Sequence, residues 1–221
     1  MMTANPQEGT AAQDSSSVFL EEQNSNYGID NVASCTESRA RNTEKRPKKD
    51  SGSELTKENN VAIVLGYFEG KLFIEDQLNS IFNQTHSSHH VFLCDDQSRQ
   101  PFAIEEHRLK NGDLAKLSIY KRSENVGFSS NFLTGLSDIT DEFDYFAFSD
   151  QDDVWHRDKL GRAIKALGTV SINTPALYCA RTEISDAKCQ QTLGFSPLFT
   201  KPPSFANALV QSISGGNTMV F

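Results

Sequence analysis

Two short apolar runs in this chain each stop at neighbouring aspartates, and no other feature restricts the fold as much. Residues 90–94 (His-Val-Phe-Leu-Cys) run into Asp95 and Asp96, and residues 145–148 (Tyr-Phe-Ala-Phe) run, after Ser149, into Asp150, Gln151, Asp152 and Asp153. Runs of this length and composition predict buried strands. Three carboxylates in four positions at a strand end repel one another and raise each other's pKa unless a cation lies among them. A hard divalent ion, Mg2+ or Mn2+, suits such an oxygen-rich cluster. The segment therefore predicts a metal that neutralises a bound anion, above all a phosphate.

The surrounding pattern supplies a frame. Residues 61–65 are continuously apolar, as in a strand covered on both faces. Over residues 71–83 the period changes, and Ile74, Leu78, Ile81 and Phe82 share one helical stripe. Residues 104–110 read as weakly helical, Asn111-Gly112 as a turn, and residues 116–120 as a third strand. Phe128, Phe132, Leu136 and Ile139 line a second helix. Beyond the acidic cluster the pattern predicts a helix at 157–167, a strand at 175–181, a helix at 205–211 and a last apolar strand beginning at 218–221. Strands alternating with helices predict an α/β fold with a mostly parallel sheet flanked by helices. Ligands bind at the carboxyl ends of the strands in such sheets, where both aspartate groups fall.

Composition divides the chain in two. Residues 1–60 are mostly Ser, Thr, Asn, Gln, Glu and Lys, which cannot bury enough surface to offset the entropy of ordering, and a disordered polar extension is expected. Residues 61–221 suffice for one core. A net charge of −8 argues against nucleic acid as a partner, since that binding depends on Lys and Arg neutralising phosphates. The run Arg46-Pro47-Lys48-Lys49 reads as solvated tail charge, with contact to anionic lipid as the alternative. No segment is apolar enough to span a bilayer or to serve as a signal-peptide core, so a cytoplasmic location is expected, with peripheral contact at the inner membrane face left open.

Cys35, Cys94, Cys179 and Cys189 form no metal-ligand spacing, and Cys94 and Cys179 read as core residues. His86, His89 and His90 fall in a Ser-rich connection, which favours a surface loop over a metal site.

At this point the chain resembles a family. Residues 64–78, continuing into Ser80-Ile81-Phe82-Asn83-Gln84-Thr85, are similar to the opening strand and S-I-x-x-Q-T helix of family 2 glycosyltransferases. Asp95-Asp96-Gln97-Ser98 looks like their D-D-G-S loop, and residues 125–132 resemble their N-x-G-x-x-x-N segment. Residues 148–160 are very close to the F-S-D-Q-D-D-V-W-x-x-x-K-L pattern of the rhamnosyltransferase-like branch, and residues 215–221 resemble its G-C-T-M-V-F-N strand. These matches run in order from Val61 to Phe221.

The resemblance implies a GT-A-type fold whose nucleotide-binding half carries a metal-binding D-x-D, matched here by Asp150 and Asp152. It implies Asp152 as metal ligand, with Asp153 as the alternative. Tyr67 and Phe68 match positions lining the base pocket, Asp95 or Asp96 would accept hydrogen bonds from the base or ribose, and Asn125 and Gly127 would let the backbone approach the nucleotide-sugar. Lys159 either pairs with the aspartates or caps its helix, and Trp155 is either a sugar platform or packing. Glu69, Gln97 and Arg99-Gln100 depart from the usual Asn, Gly and Thr-Asp.

The activity implied is transfer of a sugar from a nucleoside diphosphate-sugar to a glycan or lipid-linked acceptor in bacterial cell-surface polysaccharide synthesis. It would be inverting and metal-dependent. An inverting transfer needs a general base, which such proteins place in an H-D-W-like segment beyond the last strand matched here. The base is therefore expected beyond Phe221, and the chain reads as lacking the acceptor-binding part. A non-catalytic nucleotide-sugar-binding module is the alternative. A D-x-D phosphatase fits less well, because its motif ends the first strand of the domain.

Overall fold

The computed structural model describes residues 18–22, 59–140, 142–186, 189–199, 205–210 and 214–221. Strands β2 (Val61–Tyr67), β3 (His89–Asp95), β4 (Leu117–Lys121) and β5 (Tyr145–Ser149) form a parallel sheet in the order β4-β3-β2-β5. The continuous apolar reading of β2 follows from its central place, because alternate residues feed two separate cores. Val61, Ile63 and Leu65, with Val91 and Leu93 of β3, pack among Ile74, Leu78 and Ile81 of α1 (Ile74–Phe82) and Leu160, Ala163 and Leu167 of α4 (Lys159–Leu167). Val64 and Cys94 point the other way, against Phe132 of α3 (Phe128–Asp138). A strand buried on both faces cannot alternate in polarity.

Past β5 the sheet is completed by an inserted segment. Phe146 and Phe221 exchange backbone hydrogen bonds of 2.8 and 2.9 Å, and Tyr178 and Val220 do the same at 2.8 and 2.9 Å. Residues 219–221 thus lie antiparallel between β5 and β6 (Ala176–Ala180). β6 pairs in turn with β1 (Val18–Glu22), in parallel. The expected mostly parallel α/β sheet with flanking helices is what is observed.

Several local expectations are corrected. Val18–Glu22 is a strand within the stretch expected to be disordered; Val18-Phe19-Leu20 is the one apolar triplet there. The rest of that stretch, except Asn59 and Asn60, lies outside the described residues, as does Cys35. Asn111-Gly112 opens the one-turn helix α2 (Asn111–Leu114) instead of a turn, after a 3-10 turn at Ile104–Glu106. His89 and His90 belong to β3, and His89 is buried, so they do not form a surface loop. A hairpin, β7 (Glu183–Ser185) and β8 (Thr192–Phe195), was not anticipated, because strands this short show too few alternations to register. The last helix, α5, spans Phe205–Val210.

The close seating of α3 rests on Gly135. A methyl group there would come within 2.6 Å of Cys94 Sγ and 2.9 Å of Val64 Cγ1, both buried in the sheet. Gly135→Ala is expected to lower stability by about 1–3 kcal/mol through overpacking, read as a lower urea midpoint. An unchanged midpoint would show that α3 shifts freely on the sheet.

Candidate functional site

The acidic loop after β5 is held from below by polar residues of α1 and its exit. Gln77, fully buried, donates from Nε2 to Ser149 Oγ at 2.5 Å. Ser80 Oγ accepts the Trp155 amide at 2.9 Å while donating to the Gln77 carbonyl at 2.8 Å. Gln84 donates to the His156 carbonyl at 2.7 Å and accepts the Leu160 amide at 3.1 Å, and the Thr85 amide reaches the Arg157 carbonyl at 2.8 Å. The Ser80, Gln84 and Thr85 positions singled out in the sequence therefore serve to satisfy loop backbone groups in a part of the structure with little access to water.

The second aspartate pair holds the facing loops. Asp95 is buried and accepts the Ser98 and Phe102 amides at 2.9 and 3.2 Å, which fixes its own loop. Asp96 accepts the Val126 and Gly127 amides at 2.8 and 2.9 Å, and Asn125 Nδ2 donates to the Asp96 carbonyl at 3.0 Å. Gly127, at φ +83°, precedes α3 in a conformation that favours glycine.

The departures from the family pattern have a local account. Gln97 has φ +61°, which is unfavourable for a residue with a Cβ. Its side chain bridges the Ser123 carbonyl at 2.8 Å and the Asn125 amide at 3.0 Å, offsetting that strain. Glu69 has φ +52°, where Asn is at home. Its carboxylate accepts the Arg99 amide at 2.9 Å and Arg99 Nε at 3.0 Å.

A cavity of about 470 Å3 opens at the carboxyl ends of β2, β3 and β5, and Tyr67, Phe68, Asp96, Asn125, Gly127, Asp150 and Asp152 are among its lining residues. Asp95 is not among them, since its carboxylate is turned to its own loop. Tyr67 contributes to the wall, but its ring is 2% exposed and lies edge-on to Phe102 at 5.8 Å, whereas Phe68 is 47% exposed. Of these two, only Phe68 offers an open ring face; Phe128, 66% exposed, lines the same cavity. Asp153 lines a smaller adjoining cavity of about 190 Å3 together with Asp152, Trp155, Lys159 and Asn217.

Asp153 accepts a hydrogen bond from Asn217 Nδ2 at 2.6 Å, and Lys159 Nζ donates to the Asn217 carbonyl at 2.6 Å while lying 3.5 Å above the Trp155 ring. Lys159 starts α4, but its ammonium turns back towards the aspartates. Trp155 is 6% exposed and belongs to the core. Burial, then the charges of Asp153 and Asp152, push Asp150 up to about 6 against the opposing pull of Lys159. Burial also raises Asp153, with Asn217 opposing, and pushes Lys159 down to about 7 despite the two carboxylates.

An all-oxygen pair facing one cavity, one member of which is half-buried among like charges, suits a hard divalent cation. Among the described residues no three Asp, Glu, His or Cys side chains converge to hold an ion by themselves. Mg2+ is characteristically held by one or two carboxylates plus substrate phosphates and water, so this donor set fits. The histidines do not contribute: His89 Nδ1 is 2.9 Å from the His86 carbonyl and His90 Nε2 is 2.9 Å from Ser118 Oγ. Sequence reasoning assigned no part to Gln151 or Asn217. Asn217 stands 64 residues from the aspartate it bonds, and no local pattern signals such a contact.

Comparison with known proteins points one way. The family model described as glycosyl transferase family 2 matches residues 62–206. The chain is 33% identical over 103 residues to the dTDP-rhamnosyl transferase RfbG of Shigella flexneri, covering 45% of this chain and 35% of that protein. It is 26% identical over 165 residues to the succinoglycan biosynthesis protein ExoW of Rhizobium meliloti, covering 70% and 51%. The chain thus spans roughly a third to a half of the length of these relatives. Among solved structures it is similar to the mannosyltransferase PcManGT from Pyrobaculum calidifontis in complex with GDP-Man and Mn2+, at 25% identity and a TM-score of 0.45, covering 51% of this chain and 33% of that one. S. aureus TarS in complex with UDP follows at 20% identity and a TM-score of 0.43, covering 50% and 32%.

The charge on Asp150 sets a pH dependence. The folded chain holds this proton up to about pH 6, whereas an unfolded carboxyl releases it near pH 4. Between those limits the folded state binds more protons, so Asp150 lowers stability as pH rises. With a chelator present, wild type is expected to lose urea resistance relative to Asp150→Asn on going from about pH 4.5 to about 6.5. Parallel pH profiles for the two proteins would contradict the raised Asp150.

Proposed function

The chain belongs to glycosyl transferase family 2, and from that membership and the cavity at the strand ends we propose that it binds a nucleoside diphosphate-sugar and moves the sugar to a glycan or lipid-linked acceptor. The setting proposed is bacterial cell-surface polysaccharide synthesis; ExoW is named for succinoglycan biosynthesis and RfbG as a dTDP-rhamnosyl transferase. The transfer is assigned as inverting and dependent on Mg2+ or Mn2+. One observation carries the reading. A single cavity joins an exposed aromatic ring, Phe68, to two carboxylates of the acidic loop, Asp150 and Asp152.

Phe68 offers a face for the base. Asp96 keeps lone pairs for a ribose hydroxyl beyond those used by Val126 and Gly127. Asn125 and Gly127 bring backbone close to the sugar-phosphate, and Asp95 acts by holding the 95–102 loop. Asp152, exposed and lining both cavities, is the metal ligand proposed, with Asp153 the second candidate. The ion, when bound, supplies positive charge for the departing diphosphate. The protein's part is to place carboxylates, ring and backbone before the donor arrives. No helix among the described residues is long and apolar enough to cross a membrane. A cytoplasmic site of action, with peripheral contact at the membrane face, is proposed.

Calorimetric titration with UDP, dTDP and GDP tests the site. At least one is expected to bind about tenfold or more tightly with Mn2+ than with a chelator. Asp152→Asn should abolish that difference with circular dichroism and melting unchanged. Equal affinity with and without chelator in wild type would reject the metal assignment.

A further inference from the structure

Gln151 stands between the two cavity-lining carboxylates, and its side chain spans to the opposite wall. Its Oε1 accepts the Phe68 amide at 2.8 Å, and its Nε2 donates to the Phe68 carbonyl at 3.0 Å. One side-chain amide thus occupies both backbone groups of Phe68, whose ring is exposed at the cavity. The chain around it is shaped for this contact. Glu69 turns through φ +52°, and a Cβ on Gly70 would lie 2.1 Å from Gln151 Oε1. No larger residue at 70 leaves the amide where it is.

We infer that Gln151 is a positioning residue that couples the two ends of the cavity, so that base binding at Phe68 and cation binding at Asp150 and Asp152 favour each other. The physical reason is geometric. A change in the Phe68 backbone strains or breaks its two bonds to Gln151, and while those bonds hold they tether the loop backbone between Asp150 and Asp152 to Phe68. A ligand that settles the Phe68 end restricts the acidic loop to the conformation that a cation needs, and the reverse holds equally. The partner of Phe68 is a planar base, and the partner of the loop is a divalent ion, so the inference rests on the binding-site reading above.

The test uses a nucleoside, which has no phosphate and cannot touch the ion. The base is the one whose diphosphate binds best among UDP, dTDP and GDP. Mn2+ affinity is measured by electron paramagnetic resonance of free Mn2+, with and without that saturating nucleoside. In wild type the nucleoside is expected to tighten Mn2+ about fivefold or more. In Gln151→Ala the factor falls to about one, while Mn2+ alone still binds. Gly70→Ala, which displaces the same amide from the other side, should remove the coupling too. Gln151→Glu keeps an acceptor for the Phe68 amide but puts a second acceptor against its carbonyl, and should retain less coupling than wild type.

Coupling that persists in Gln151→Ala and Gly70→Ala, or that is absent from a wild type binding both ligands, overturns the inference and leaves the site standing. A wild type that binds neither Mn2+ nor any of the nucleotides overturns the site, and the coupling with it.

Discussion

The acidic loop keeps its shape because three polar side chains of α1 and its exit, two of them buried, hold it from beneath. Gln77 and Ser80 lie on the helix that follows β2, Gln84 lies just past its end, and the loop follows β5, the neighbour of β2 in the sheet. The parallel sheet alone therefore brings helix and loop together. Apolar side chains there would leave the Trp155 and Leu160 amides and the His156 carbonyl without partners, each a loss comparable to a broken hydrogen bond. Amide side chains suit the position because each offers both a donor and an acceptor. Gln84 uses both on two different residues of the loop, and Gln151 uses both on one residue, Phe68. The site is thus a set of loops whose backbones are bonded by side chains from neighbouring elements.

That construction explains what could be read in the sequence. The strands β2, β3, β4 and β5 and the helices α1, α3 and α4 were legible because burial selects apolar residues at fixed periods. Cys94 and Cys179 were legible as core for the same reason, and both are buried. The aspartates were legible as a group because both pairs end strands of one parallel sheet. Their separate tasks were not. Asp95 looks no different from Asp96 in the sequence, yet one carboxylate closes its own loop and the other clamps the loop of Asn125. Only the path of the backbone after the strand separates them. In the sequence Glu69 and Gln97 are only departures from the usual Asn and Gly. The structure shows left-handed backbone positions with side chains that tie loops together, a property fixed by φ and therefore invisible in residue type alone.

The three carboxylates after β5 raise a problem of self-repulsion, and the fold meets it by separating them. Asp150 and Asp152 face the larger cavity, whereas Asp153 turns to Asn217 and towards Lys159. Lys159 cannot serve all three. Burial pushes it down to about 7, and it is already bonded to the Asn217 carbonyl and set over Trp155. Asn217 belongs to the same terminal stretch that pairs with β5 and β6. Insertion of that segment into the sheet therefore carries a hydrogen-bond donor to Asp153, while Asp150 lines only the larger cavity and Asp152 lies between the two. The cost of crowding therefore falls on Asp150, half-buried among like charges, and not on the exposed Asp152. The different surroundings of Asp150 and Asp153 thus follow from where residues 219–221 enter the sheet as much as from the acidic loop itself.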